Sequence, residues 1–204
     1  MKNICILDYS TGNIQSLKNI LSKLNIKHKY SNSKRDISNA SHLILIGVGS
    51  FDVAYKKALK YLPIKLIEEL IFKKKKPILG ICVGMQIMAS YGEEGKGSKG
   101  LNWIEGKVKK IKKKNYPIPH VGWNTVLNCK ESEIMNNISN RDFYFSNSFY
   151  FKVKNKNEVI AYTNYGKKFP SVINKNNIFG VQFHPEKSQK SGIKLIQNFF
   201  NLTK

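Results

Sequence analysis

At 204 residues the chain is long enough to bury a substantial core in one domain, and its 41% hydrophobic and 11% aromatic content excludes a disordered protein. No apolar run approaches the roughly 20 residues of a membrane span, and the N-terminal stretch lacks the pattern of a signal peptide. The formal charge of +22 raises nucleic acid as a partner, yet only Arg35 and Arg141 are arginines and the lysines are spread along the whole chain. Base-reading and bidentate phosphate sites favour arginine, so a solvated lysine surface is the expectation and nucleic acid is not the expected partner. Cys5, Cys82 and Cys129 are odd in number and scattered. That argues against a disulfide framework or a structural zinc site and for a reducing cytoplasm. No metal or other cofactor is called for.

In chain order, residues 4–7 read as a first strand, followed by Ile14, Leu17, Ile20, Leu21 and Leu24 at helical spacing. Residues 43–46 form a second strand that runs into Gly47-Val48-Gly49. A helix over 63–72 carries Ile64, Ile67, Leu70 and Ile71 on one face. Residues 77–81 form a third strand, followed by a helix over 83–90 and a glycine- and charge-rich surface loop over 92–100. The second half is richer in strands, around 107–111, 124–127, 143–145, 159–163 and 179–183. A last helix over 189–201 buries Ile193, Ile196 and Phe200. The lysine runs 73–76 and 112–114 read as solvated helix end or turn. No linker or repeat divides the chain, so the expectation is one α/β domain over residues 1–204, with a mixed, largely parallel, flavodoxin-like sheet covered by helices on both faces.

The segment Gly80-Ile81-Cys82-Val83-Gly84 joins a strand to a helix. It is the cysteine counterpart of a nucleophile elbow. Such a turn lifts the thiol out of the sheet's end, places it at a helix N-terminus and aims the N–H of Val83 at a developing oxyanion. A buried core cysteine is the competing reading. Of four histidines, His28, His42 and His120 have no acidic partner close in sequence. His184 stands in Phe183-His184-Pro185-Glu186, where proline favours extended geometry. Residues two apart then share a side, so Glu186 can hold one imidazole nitrogen while the other faces a thiol.

Gly80-Ile-Cys82-Val-Gly84-Met-Gln86 with Gly180-Val-Gln-Phe-His184-Pro-Glu186 resembles the triad glutamine amidotransferases. Further pieces are similar to the glutaminase subunit of imidazole glycerol phosphate synthase, the HisH family. They are Asp8-Tyr9-x-x-Gly12-Asn13, Gly47-Val48-Gly49-Ser50-Phe51, Glu94-Gly95, Gly100-Leu101, Pro119-His120-x-Gly122-Trp123-Asn124 and His184-Pro185-Glu186-Lys187-Ser188. The glutaminases of anthranilate and GMP synthesis typically carry His at the place of Met85 and Ser at that of Lys187.

The resemblance implies that Cys82, His184 and Glu186 hydrolyse glutamine through a thioester. Backbone N–H groups of Val48, Gly49 and Val83 would form the oxyanion hole, and Gln86, Glu94 and Ser148 would contact substrate. Tyr9, Asn13, Trp123 and Lys187 would face a cyclase (HisF-type) barrel subunit, to which ammonia passes for imidazole glycerol phosphate and AICAR formation in histidine biosynthesis. Trp123 also fits simple core packing. Ile46, Asn147 and Ser10 depart from the family's usual proline, histidine and glycine. These departures leave open a paralogue that supplies ammonia to a sugar amidotransferase of surface-polysaccharide synthesis.

Overall fold

A computed structural model describes residues 2–11, 14–112, 116–127 and 129–203. The chain begins with β1 (Ile4–Leu7), α1 (Gln15–Lys23), β2 (His28–Ser31), α2 (Lys34–Asn39), β3 (His42–Gly47) and α3 (Phe51–Tyr61). Next come α4 (Ile64–Glu68), β4 (Ile78–Cys82) and α5 (Val83–Gln86), then short strands β5 (Tyr91–Gly92) and β6 (Ser98–Lys99). The second half supplies β7 (Gly106–Lys110), β8 (His120–Thr125), β9 (Asp142–Asn147), β10 (Phe149–Val153), β11 (Val159–Asn164), β12 (Lys168–Lys175), β13 (Ile178–Val181) and α6 (Gln189–Asn201).

Seven strands form the central sheet in the order β11-β12-β13-β4-β3-β1-β2. The pairs β1–β2, β1–β3, β3–β4 and β4–β13 are parallel, whereas β11–β12 and β12–β13 are antiparallel. Strands β1, β3, β4 and β13 are buried along their whole length. This accounts for their unbroken apolar runs, since a parallel sheet is covered on both faces. The carboxyl ends of β3, β4 and β13 lie side by side, with Gly47 opposite Cys82 and Val181 opposite Ile81. Open α/β sheets place ligands at this edge. A four-stranded sheet, β10-β7-β5-β6, and the ribbon β8–β9 form the remaining pleated structure.

Several elements differ from the sequence expectation. Helix α2 has Ile37 as its buried residue and is announced chiefly by its cap, where Ser33 Oγ accepts from the N–H of Asp36 at 3.2 Å. Helix α3 buries Phe51 and two small alanines, Ala54 and Ala58, so its apolar stripe is faint. Strand β2 is only partly buried, and β10 and β12 escaped the apolar reading as well. The helix expected over 83–90 stops at Gln86, and the loop expected over 92–100 is a small hairpin pairing Tyr91 with Lys99. The helix expected over 63–72 is α4 plus a wider π turn over Glu69–Lys73. The strand expected over 124–127 lies earlier, as β8. Helix α6 buries Gly192, Leu195, Ile196 and Phe199, while Ile193 and Phe200 are only partly covered. Lys76, expected in solvent, is buried and donates to the carbonyls of Ile37 at 3.0 Å and Ser38 at 2.8 Å, at the C-terminus of α2. Lys113 and Lys114 lie outside the described residues. No helix among the described residues is long and apolar enough to cross a membrane.

Candidate active site

Cys82 ends β4 with φ 53° and ψ −115°, a conformation L-residues rarely adopt. Its flanking glycines allow close packing. A Cβ on Gly84 would lie 1.7 Å from the carbonyl oxygen of Leu45, and one on Gly80 would lie 2.7 Å from Cα of Met85. Helix α5 can therefore press directly against β3, and the strain falls on the cysteine itself. That combination projects the thiol beyond the sheet's end.

His184 lies three residues beyond the end of the neighbouring strand β13. Its Nδ1 is 2.7 Å from Glu186 Oε1, with both side chains almost fully buried. The other ring nitrogen is left for Cys82. Burial disfavours the imidazolium, but the interactions of His184 with Cys82 and Glu186 outweigh it and push its pKa up to about 10. A protonated imidazole facing a sulfur is the ground state that a cysteine nucleophile needs.

A cavity of about 230 Å³ opens over this pair. Its walls include Val48, Gly49, Cys82, Val83, Gln86, Glu94, Ser148, His184 and Lys187. Its size suits a single amino acid better than a nucleotide. Gly49 takes φ +98° with open space where a Cβ would be, so glycine serves the backbone conformation there. Glu94 does more than line the wall, because its Oε2 accepts from the N–H of Phe51 at 2.7 Å and caps α3. Gln86, expected to reach substrate, has both amide hydrogens engaged by the protein. They go to the Phe149 carbonyl and to Gln182 Oε1, each at 3.0 Å.

The residues expected on the partner face separate. Tyr9 is 0% exposed, its hydroxyl packed where a Cβ on Gly47 would come within 2.2 Å. It braces the loop after β3 and is withdrawn from any docking surface. Asn13 and the adjoining Gly12 lie outside the described residues. Trp123 is 50% exposed, which removes the core-packing reading, and its ring meets Tyr144 edge-on at 6.3 Å. Lys187 Nζ lies 5.5 Å over the same Tyr144 ring, linking Trp123 to the cavity wall. His28 and His42 begin β2 and β3. His120 is stacked between Phe145 and Tyr165, so it is a packing residue. The sequence reading missed Pro119, Ser146 and Phe149 on the cavity wall, and Gln182 beneath it. Only Gln182 had a signal, lying two residues before His184 in an extended run.

A family model described as glutamine amidotransferase class-I matches residues 5–202. The chain belongs to this family. Within the class, this glutamine amidotransferase is 43% identical over 204 residues to imidazole glycerol phosphate synthase subunit HisH of Leptospira borgpetersenii, covering 98% of this chain and 100% of the relative. It is 41% identical over 201 residues to subunit HisH 1 of Campylobacter jejuni subsp. jejuni, with 98% and 100% covered. For subunit HisH 2 of Pseudomonas aeruginosa the identity is 38% over 201 residues, with 98% and 99% covered. The chain is a member of the HisH family. Solved structures share the amidotransferase fold. One described as a glutamine amidotransferase superposes with TM-score 0.75 at 17% identity, covering 96% of each chain. PurLQS from Thermotoga maritima gives 0.73 at 17%, covering 98% of this chain and 99% of its own.

Proposed function

We propose that this chain is the glutaminase subunit of an imidazole glycerol phosphate synthase, acting as one domain in histidine biosynthesis. The observation that carries the reading is the strained Cys82 beside a His184 held by Glu186, at the floor of an amino-acid-sized cavity. The Cys82 thiolate attacks the side-chain amide carbon of glutamine, and the oxyanion is met by backbone N–H groups of Val83 and the Val48–Gly49 loop. The C–N bond then breaks as His184 gives its proton to the departing ammonia. Neutral His184 next takes a proton from water, which attacks the thioester and releases glutamate. Glu186 keeps the imidazole oriented through both steps.

Ammonia protonated in bulk water is no longer a nucleophile, so it must pass directly to an acceptor. The exposed Val121 and Trp123 with Tyr144 and Lys187 form an apolar, aromatic face contiguous with the cavity wall. That face supports docking of a cyclase subunit of the HisF type over the cavity mouth.

Cys82→Ala, assayed with the partner present, is expected to lower glutamine hydrolysis by at least about 10⁴-fold while the fold persists. Retained turnover would end the proposal. Recovery of a cyclase barrel with the tagged chain supports the partner assignment; recovery of a sugar amidotransferase in its place overturns it.

A further inference from the structure

We infer that Gln182 is a catalytic hydrogen-bond donor to the Cys82 sulfur, held in its donating orientation by Gln86 and the carbonyl of Phe149. Gln182 Nε2 lies 3.8 Å from Cys82 Sγ, within the reach of a sulfur acceptor. Gln182 is 0% exposed and lies behind the cavity wall, so the sulfur, and not the substrate, is what its amide can touch.

The orientation of this amide follows from one unambiguous group. A backbone carbonyl can only accept, so the Gln86 atom 3.0 Å from Phe149 O is the amide nitrogen. The second hydrogen of that nitrogen reaches Gln182, whose facing atom must be its oxygen, also at 3.0 Å. Gln182 therefore turns its own NH₂ to Cys82. The side chain of Asn147 donates to the same Phe149 carbonyl at 3.0 Å and helps fix it. Phe149 belongs to β10, which pairs with β7, so the relay ties the nucleophile to the second sheet.

Cys82 is only 3% exposed, and a thiolate so far buried draws its stabilisation largely from donors of the protein. His184 supplies one, but it gives up its proton to the leaving ammonia. Gln182 does not transfer its amide proton and remains a donor while the sulfur is again a leaving group in thioester hydrolysis. The inference rests on the glutaminase reading for its chemistry, though its test does not need glutamine.

Alkylation of the full-length chain by iodoacetamide, followed at the Cys82 peptide by mass spectrometry across pH, reads the thiolate directly. Gln182→Met keeps size and removes the donor. Its alkylation midpoint is expected to move upward, with labelling at acidic pH about tenfold slower. Gln86→Met does not touch the sulfur and is expected to shift the profile in the same direction by releasing Gln182. With the partner, Gln182→Met should lose kcat while KM for glutamine stays within about twofold. A wild-type pH profile in a Gln182→Met chain of normal circular dichroism overturns the inference. If that variant fails to fold, a wild-type profile in Gln86→Met overturns it equally. A shifted profile in a chain that never hydrolyses glutamine would instead uphold the donor and remove the glutaminase reading.

Discussion

Cys82 combines backbone strain, burial and two polar neighbours in one position. Its left-handed φ costs about 1–3 kcal/mol, offset by the packing of α5 on β3 that Gly80 and Gly84 permit. His184 is held as an imidazolium by its contacts with Cys82 and Glu186. Glu186→Gln removes one of these and is expected to lower the His184 pKa, with kcat falling about 10³-fold and KM nearly unchanged. An NMR titration of the imidazole with steady-state assays checks both; an unmoved titration would strip Glu186 of its role. At this scale the triad was legible because spacing carries it. Gly-x-Cys-x-Gly implies the elbow, and His-x-Glu in an extended run puts the two side chains together. Gln182 stood in the same run, but its function depends on Gln86, which lies 96 residues away and meets it only in the folded chain.

Among the elements, the ribbon β8–β9 is joined to the central sheet partly through His120. Its ring stacks on Phe145 at 5.0 Å and on Tyr165 at 3.9 Å, and burial pushes its pKa down to about 4. The unfolded chain takes up this proton near pH 6.5, whereas the folded one resists it until about pH 4. Stability is therefore expected to fall as pH drops through that window and to be level, for this group, above it. Urea unfolding between pH 4 and 7 should show the decline, and His120→Phe should flatten it. An equally steep decline in the variant would assign the acid lability to other groups. Elements with long apolar runs, such as β1, β3, β4 and β13, were legible. Helices α2 and α3 were not, because one has a single buried residue and the other buries mostly alanine. The terminal helix was placed correctly, but its buried face was misassigned, since Phe199 and Phe200 are indistinguishable until neighbouring elements choose between them.

For the whole molecule, the proposed assembly with a cyclase rests on the face beside the cavity. Trp123→Ala is expected to weaken association with the cyclase partner about 30-fold, as loss of an interface anchor does. The melting temperature of the free chain should be nearly unchanged, because that ring is half exposed; calorimetric titration and a thermal scan separate the two effects. The +22 charge is lysine-dominated and spread along the sequence, and Lys76 shows that one of these lysines has an internal, helix-capping use. The sequence by itself determined the α/β class and pointed to Cys82, His184 and Glu186 as one constellation, because each is written in local spacing and in apolar runs. Tertiary structure alone decided which residues the site holds around them. It withdrew Tyr9 into the core, exposed Trp123, tied the amide nitrogen of Gln86 on the cavity wall to Gln182 and set Glu94 on the start of α3. Those outcomes depend on which side chains meet across distant strands, and local periodicity does not encode such meetings.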